Sequence, residues 1–411
     1  MIISSSMMAQ NIIFQLIQAG AQSNGIGSAS VAFPTDDPLV SVYNPAHLGM
    51  QSFTSKFSGG YSSARWLPQV SDKFGINIAS YNAGLNLRDI NSNYLPLSIG
   101  AGYSRIRIDL GSSTVTSPSP LVPYTIGTYE TFAESNQLTV SAAVDYVVRF
   151  SAGITYKKVL SKEAFEARTS LYDLGFLLDV PVVSIYEKIN DAKAGDNIKP
   201  VFNLGFGASV NNLGKDYFEY KLPNPVGVQV LYEQIPKYAR AGVSFSAGFN
   251  WTNKSVTVAP LMFKWTVESN NPLYDSIFIP DGTNKDFTYG KGLGKIKIFD
   301  ELILGHSNVQ TEKLKGWELT VFEFLSVSGG RFQEDVNYGD RNYNTMGYTL
   351  RSGGLVKMLR VLEINSLLEN TSASYVLNRL SVDFSYSRLV AVNHILSGTE
   401  FYGVNVFWKM F

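Results

Sequence analysis

The feature that most constrains this chain is an alternation of period two over residues 138–156. The even positions, Leu138, Val140, Ala142, Val144, Tyr146, Val148, Phe150, Ala152, Ile154 and Tyr156, are all apolar or aromatic, while the odd positions include Thr139, Ser141, Asp145, Arg149, Ser151, Gly153, Thr155 and Lys157. Successive residues of a strand point to opposite faces, so one face is greasy and the other polar. The length suits two strands of about ten residues, enough to cross a bilayer at a tilt. The spacing puts a tight turn near Val148–Ser151.

The same phase recurs at Phe202–Val210, Ala241–Trp251 and Leu380–Tyr386, with Gly, Ser and Asn between the apolar positions. Less regular strands are expected near 53–61, 72–87, 94–110, 168–184, 255–267, 298–307, 316–328 and 343–364. Polar segments at 111–136, 185–199, 212–238 and 268–297 read as loops. Around 97–110 the apolar positions switch from odd (Leu97, Ile99, Ala101, Tyr103) to even (Ile106, Ile108, Leu110), as a β-bulge would cause.

A soluble sandwich also alternates, but one this long needs several domains and a more charged polar face. Charged residues are only 17% of the chain and balance at 34 against 34, which also gives no basic field for nucleic acid. No repeat of propeller length is visible. The reading is an all-β, transmembrane, antiparallel β-barrel of about fourteen strands in the bacterial outer membrane, where closure removes exposed strand edges. Outer-membrane lipid is then one partner. Aromatics near strand ends (Tyr61, Trp66, Tyr146, Tyr156, Trp251, Trp265, Trp317) suit interfacial girdles.

The chain divides into three parts. Residues 1–22 read as either a signal-peptide remnant or an apolar N-terminal segment, because the basic start of a signal is missing. Residues 23–51 carry Gly25, Gly27, Asp36, Asp37 and the triplet Asn44-Pro45-Ala46. Residues 52–411 form the barrel. Asn44 and Pro45 suit the start of a helical turn, and Gly49 its stop. The adjacent aspartates fit turn capping better than acid–base work. The chain ends on an apolar face of Tyr402, Val404, Val406, Trp408 and Met410, followed by Phe411. A terminal aromatic after such a strand is what barrels present to their assembly machinery, so Trp408, Met410 and Phe411 are read as that signal.

Catalytic and cofactor motifs are weak. His47, His306 and His394 have no metal-ligand spacing. His306 and Ser307 are adjacent, so in a strand they would diverge and could not act as base and nucleophile. GKGLGK at 290–295 lacks the spacing and the Ser/Thr of a phosphate loop. With no cysteine, thiolate chemistry is excluded. A non-enzyme without cofactor is expected.

The order Gly25, Gly27, Asp36-Asp37, Asn44-Pro45-Ala46 just ahead of a barrel resembles the N-terminal region of the FadL superfamily of outer-membrane proteins. Segments 172–178, 206–214, 235–249, 347–355 and 379–389 look closer to its PorV branch. The resemblance implies fourteen strands and an N-terminal segment folded into the lumen as a plug. The function expected from it is transport or protein secretion across the outer membrane, of the type IX shuttle kind, with secretion components and exported cargo as partners; the alternative is passage of a hydrophobic ligand through the barrel. A lipid-hydrolysing barrel or a structural scaffold ranks behind both.

Overall fold

A computed structural model describes residues 18, 20–116, 125–162, 165–189, 197–224, 227–253, 256–273, 289–336, 341–362, 371–391 and 395–411. The apolar stretch 1–17 and His394 lie outside them. Fourteen strands form one closed antiparallel barrel. In chain order these are β1 (Lys56–Arg65), β2 (Gly75–Asn86), β3 (Leu97–Thr116), β4 (Thr125–Asp145), β5 (Arg149–Lys162), β6 (Glu166–Pro181) and β7 (Ile198–Gly214). After a separate hairpin, β8 (Tyr217–Asn224) and β9 (Gly227–Gln234), come β10 (Tyr238–Asn253), β11 (Val256–Pro272), β12 (Glu312–Val321), β13 (Leu325–Gln333), β14 (Asn342–Arg351), β15 (Leu380–Val390) and β16 (Glu400–Lys409). Each strand pairs with its neighbour in the wall, and β1 closes on β16 from Lys56↔Lys409 to Arg65↔Glu400.

The alternation sorts as expected. Leu138, Val140, Ile154, Phe384, Tyr402 and Val404 face outward and are exposed, while Thr139, Ser141, Thr155, Ser385 and Asn405 face inward and are buried. Exposed apolar side chains on a closed wall form the lipid-facing belt of a membrane barrel. Tyrosines rim it, their hydroxyls tied to polar neighbours beyond: Tyr61 to Asn77, Tyr103 to Asn136 and Tyr402 to Glu400.

Both ends of the barrel sequence lie at one end of the cylinder. Connections there include the short turns 146–148 and 322–324, although 182–197 and 352–379 carry helices α4 (Val182–Ile189), α5 (Ser352–Val361) and α6 (Thr371–Arg379). The far end carries the longest connection, 273–311, together with 215–237. Short turns face the periplasm and long loops the exterior, which orients the chain.

Several expectations change. The turn between β4 and β5 is Tyr146–Val148, with Asp145 opposite Arg149, and both strands run past the bilayer. Segment 111–136 is mostly strand rather than loop, because β3 and β4 continue as a ribbon whose backbone groups satisfy one another. Segment 212–238 holds the β8–β9 hairpin, and β11 reaches to Pro272. Residues 298–303 form a π-helical turn, not a strand: Ile298, Phe299, Leu302 and Ile303 repeat at helical rather than alternate spacing. Segment 343–364 is not all strand: past Arg351 it turns into helix α5, Ser352–Val361.

No bulge interrupts 97–109. Pairing of β3 with β2 and β4 is continuous there, and its register shifts only farther on, between Asp109 and Ser112 and between Val115 and Thr116. The apolar positions change phase because the surroundings change. Ile106 and Ile108 are buried inside, while Arg105 is exposed outside. On β2, Ile76 and Ile78 likewise point inward beyond Ser80, Asn82 and Gly84. Past the tyrosine rim the outer face meets water and the interior becomes an aliphatic core, joined by Ala133, Val159 and Leu171 and by Phe218 and Tyr220 of the hairpin. Sides exchange roles without a change in pairing, because only the solvent on each side has changed.

Candidate functional site

Residues 18–52 run through the barrel interior. Gln18, Gly20, Ala21, and residues 23–33 and 37–49 are all buried, and the segment touches strands all round the wall. Buried structure begins upstream of residue 23: Gln18 donates to Ser28 O and accepts from Ser30 Oγ. Helix α1 (Ala21–Gly25) packs on β13–β16, and helix α2 (Ala46–Gln51) on β2–β6. Between them a 3-10 turn, Pro38–Val42, meets β1, β2 and β4.

Each backbone stretch of the segment is held by inward-facing polar side chains. Gly27 N–H donates to Thr345 Oγ1, which itself donates to Gly25 O. Val31 N–H donates to Glu268 at 2.8 Å, and Ser244 Oγ donates to Ala32 O. Ser209 and Asn211 both donate to Tyr43 O, Ser151 to Ala46 O, and Ser98 to Gly49 O. A strand's own backbone groups are used in the ladder, so serine, threonine and asparagine on its inner face supply the bonds an irregular segment needs.

Glycine supplies the room. At Gly153, Gly175, Gly207, Gly316 and Gly330 an added methyl would come within 3 Å of Pro45, Asn44, Val31, Ile26 and Gly27 respectively. The inner wall is thus a seat cut to this segment. Glycine on the polar face was legible in the sequence as a lumenal signature, but its partners were not, because they lie far away in sequence.

The residues singled out from the sequence sit as follows. Gly25 abuts Ser328 and Gly347, and Gly27 has φ +67° against the β13 backbone. Asp36 pairs with Lys56 at 2.7 Å. Asp37 accepts from Leu39 N–H at 3.0 Å, capping the 3-10 turn, and from Asn405. Burial raises the Asp37 carboxyl to about 6, against those two hydrogen bonds. Asn44 Oδ1 accepts from Ala46 N–H, while its Nδ2 donates to Val31 O at 2.8 Å and Phe176 O at 3.2 Å. Pro45 precedes the first residue of α2, and Ala46 is fully buried. Gly49 does not end the helix, which runs to Gln51; its missing side chain makes way for the Ser141 and Ser151 hydroxyls. Trp408 faces the lipid side, Met410 N–H donates to Ser55 O, and Phe411 is exposed.

His47 was set aside as a metal ligand and has a structural place instead. Its Nε2 lies 2.9 Å from Ser30 O, so the neutral ring donates there, and burial lowers its pKa to about 4. His306 and Ser307 are exposed on the outer connection.

The segment leaves two spaces. Near Tyr43, Ile106, Lys157 and Arg240 the interior narrows to a cavity of about 10 Å³. Toward the periplasmic end, a vestibule of about 340 Å³ lies between the segment and β6, β7, β10 and β11. Phe33, Pro34, Met50 and Leu177 give it apolar walls, and Asn203 and Lys264 polar ones.

A closed wall of fourteen strands, an apolar belt and a chain segment seated inside define an outer-membrane β-barrel protein. No protein-family model and no curated protein matches the chain. Among solved structures it is similar to the toluene transporter TodX of Pseudomonas putida, at 11% identity and TM-score 0.42, over 95% of this chain and 98% of that one. It is also similar to a Pseudomonas aeruginosa FadL homologue, at 11% identity and TM-score 0.43, over 96% and 98%. A third similar structure is the monoaromatic hydrocarbon channel CymD, at 9% and 0.36, over 98% of each.

Proposed function

We propose that the chain is an outer-membrane channel for small hydrophobic molecules, with residues 18–52 as its gate. The observation that carries this reading is the vestibule of about 340 Å³ against that segment. Its volume is that of a small-molecule site, and Phe33, Pro34, Met50 and Leu177 give it an apolar wall facing a polar side that includes Asp36, Arg149, Asp179 and Lys264. Toward the outer end the interior holds an aliphatic core that includes Ile76, Ile78, Ile106 and Ile108, which an apolar molecule meets without the desolvation cost that a sugar or an ion incurs. Passage needs the segment to shift, since the lumen beside Tyr43 and Arg240 holds only about 10 Å³.

The test is uptake by vesicles carrying the full-length protein. Toluene should enter faster than into empty vesicles, and a sugar should not. Deleting residues 24–48 should admit the sugar as well. Toluene uptake equal to that of empty vesicles defeats the proposal.

A second reading is a shuttle role in type IX protein secretion. It is supported by how fully the lumen is filled, which suits a protein that works through its outer surfaces. Copurification of exported cargo with the intact barrel, in cells that take up hydrophobic probes normally, would favour it.

A further inference from the structure

The β11–β12 connection contains GKGLGK, the motif left without a role. From residue 289 the chain folds back over the outside of the wall. By alternation Ala239 and Ala241 on β10 and Val267 on β11 face outward, yet they are 0%, 0% and 3% exposed. Ile296 and Leu302 cover them, with Leu293 and Tyr289 alongside. The π-helical turn is pinned from within. Buried Glu301 accepts from Lys297 N–H at 2.9 Å, Asn308 at 3.2 Å, Thr311 at 2.8 Å and also Ser269.

The other face of this loop is unlike an ordinary exterior loop. Phe299, Ile303 and Leu304 are 64%, 58% and 52% exposed, and Lys291, Lys295 and Lys297 are exposed among them. With Glu301 turned inward, Asp300 is the one acidic group left on this stretch. Aromatic and aliphatic side chains interleaved with lysines are what an interfacial segment presents, the lysine stems running along apolar surface to cationic heads.

We propose that residues 291–304 bind the outer leaflet, their apolar side chains entering the acyl boundary and their three lysines contacting phosphate groups of anionic lipid. Placement selects lipid as the occupant: the loop lies on the wall itself, beside outward-facing Trp265 and Phe206, where the leaflet adjoins it. The contact reaches inward too. Tyr289 Oη lies 2.9 Å from Asp216 O and 2.7 Å from Ile235 O, two carbonyls at the base of the β8–β9 hairpin that helps close the interior, and shares its single proton between them. Lipid bound at the loop therefore steadies that hairpin.

The experiment is amide hydrogen exchange of the full chain in nanodiscs of phosphatidylcholine, with and without phosphatidylglycerol. Exchange across 293–304 should slow in the anionic discs, and the hairpin with it. The K291A/K295A/K297A variant should lose that gain, about fivefold for each lysine, while Phe299→Ser should lose protection in both discs. These exposed positions leave the strands intact, which circular dichroism checks. Equal exchange in neutral and anionic discs, or a triple variant that matches wild type, overturns the proposal. So does protection that appears only when a soluble protein is added.

Discussion

Gly207 of β7 lies so close beneath the carbonyl of Val31 that no β-carbon fits between them. The contact joins strand to lumenal segment by backbone alone, and neither side can yield by turning a rotamer. Overpacking at such a point costs about 1–3 kcal/mol. Gly207→Val should therefore unseat the segment while leaving the barrel closed. Exchange at Val31–Asn44 should rise about ten- to a hundredfold, with strand circular dichroism unchanged. Wild-type exchange in this variant would show that the glycine is not a seat.

Asn44 joins three backbone groups, and its replacements should rank. Alanine loses both donors and the cap, costing about 1–3 kcal/mol. Aspartate keeps the cap but turns a buried carboxylate toward the Val31 and Phe176 carbonyls, so Asn44→Asp should be worse than Asn44→Ala. Protease sensitivity of the segment in the folded barrel measures the order. An aspartate variant as resistant as wild type would refute it.

Asp37 and His47 should give the segment opposed pH dependences. The folded chain binds the Asp37 proton more tightly than the unfolded one, with a pKa of about 6 against 3.8. That contribution falls as pH rises from about 4 to about 6. His47 binds its proton more weakly, at about 4 against 6.5, so its contribution rises from about pH 4 to about 6.5. Each is worth about 3 kcal/mol, and in the native chain they largely offset. His47→Gln should expose the falling trend and Asp37→Asn the rising one. Opening free energies from exchange across pH 4–7 decide the matter; variants sharing one slope would refute the pairing.

Lys157 and Asp173 form a buried pair on β5 and β6 at 2.5 Å, with Asn212 bridging both. Lys157→Met alone leaves a buried carboxylate and should cost about 3–5 kcal/mol, whereas adding Asp173→Asn should recover much of it. Urea midpoints of the refolded barrel in detergent would test this. A double variant no more stable than the single would show that the pair is not the cause.

What the sequence made legible was the wall. The phase of 138–156 assigned Thr139, Ser141 and Thr155 to the interior before any coordinates, because lipid on one side and a filled lumen on the other impose opposite chemistry on alternate residues. Where that rule was carried past the membrane it misled. Ile106 and Ile108 suggested a bulge, but water replaces lipid outside them and a core replaces the polar lumen. The π-helical turn at Ile298–Ile303 was misread for a related reason: its apolar residues answer to the outer wall of β10 and β11, a surface no local pattern announces. Asn44 and Asp37 were legible as turn formers, since capping is local. Their bonds to Phe176 and Asn405 cross the barrel and were not.

The seam between β1 and β16 has a consequence for how the molecule is made. Pairing Lys56 with Lys409 joins positions from the two ends of the chain, the kind of contact that forms slowly. Gly60 on one side of the seam packs against Leu39, and Gly403 on the other against Ala21. The hoop is therefore fastened around its own beginning. A chain halted before β16 would lack the strand that fastens it, and Ala21 and Leu39 would wait, unclasped, for the last.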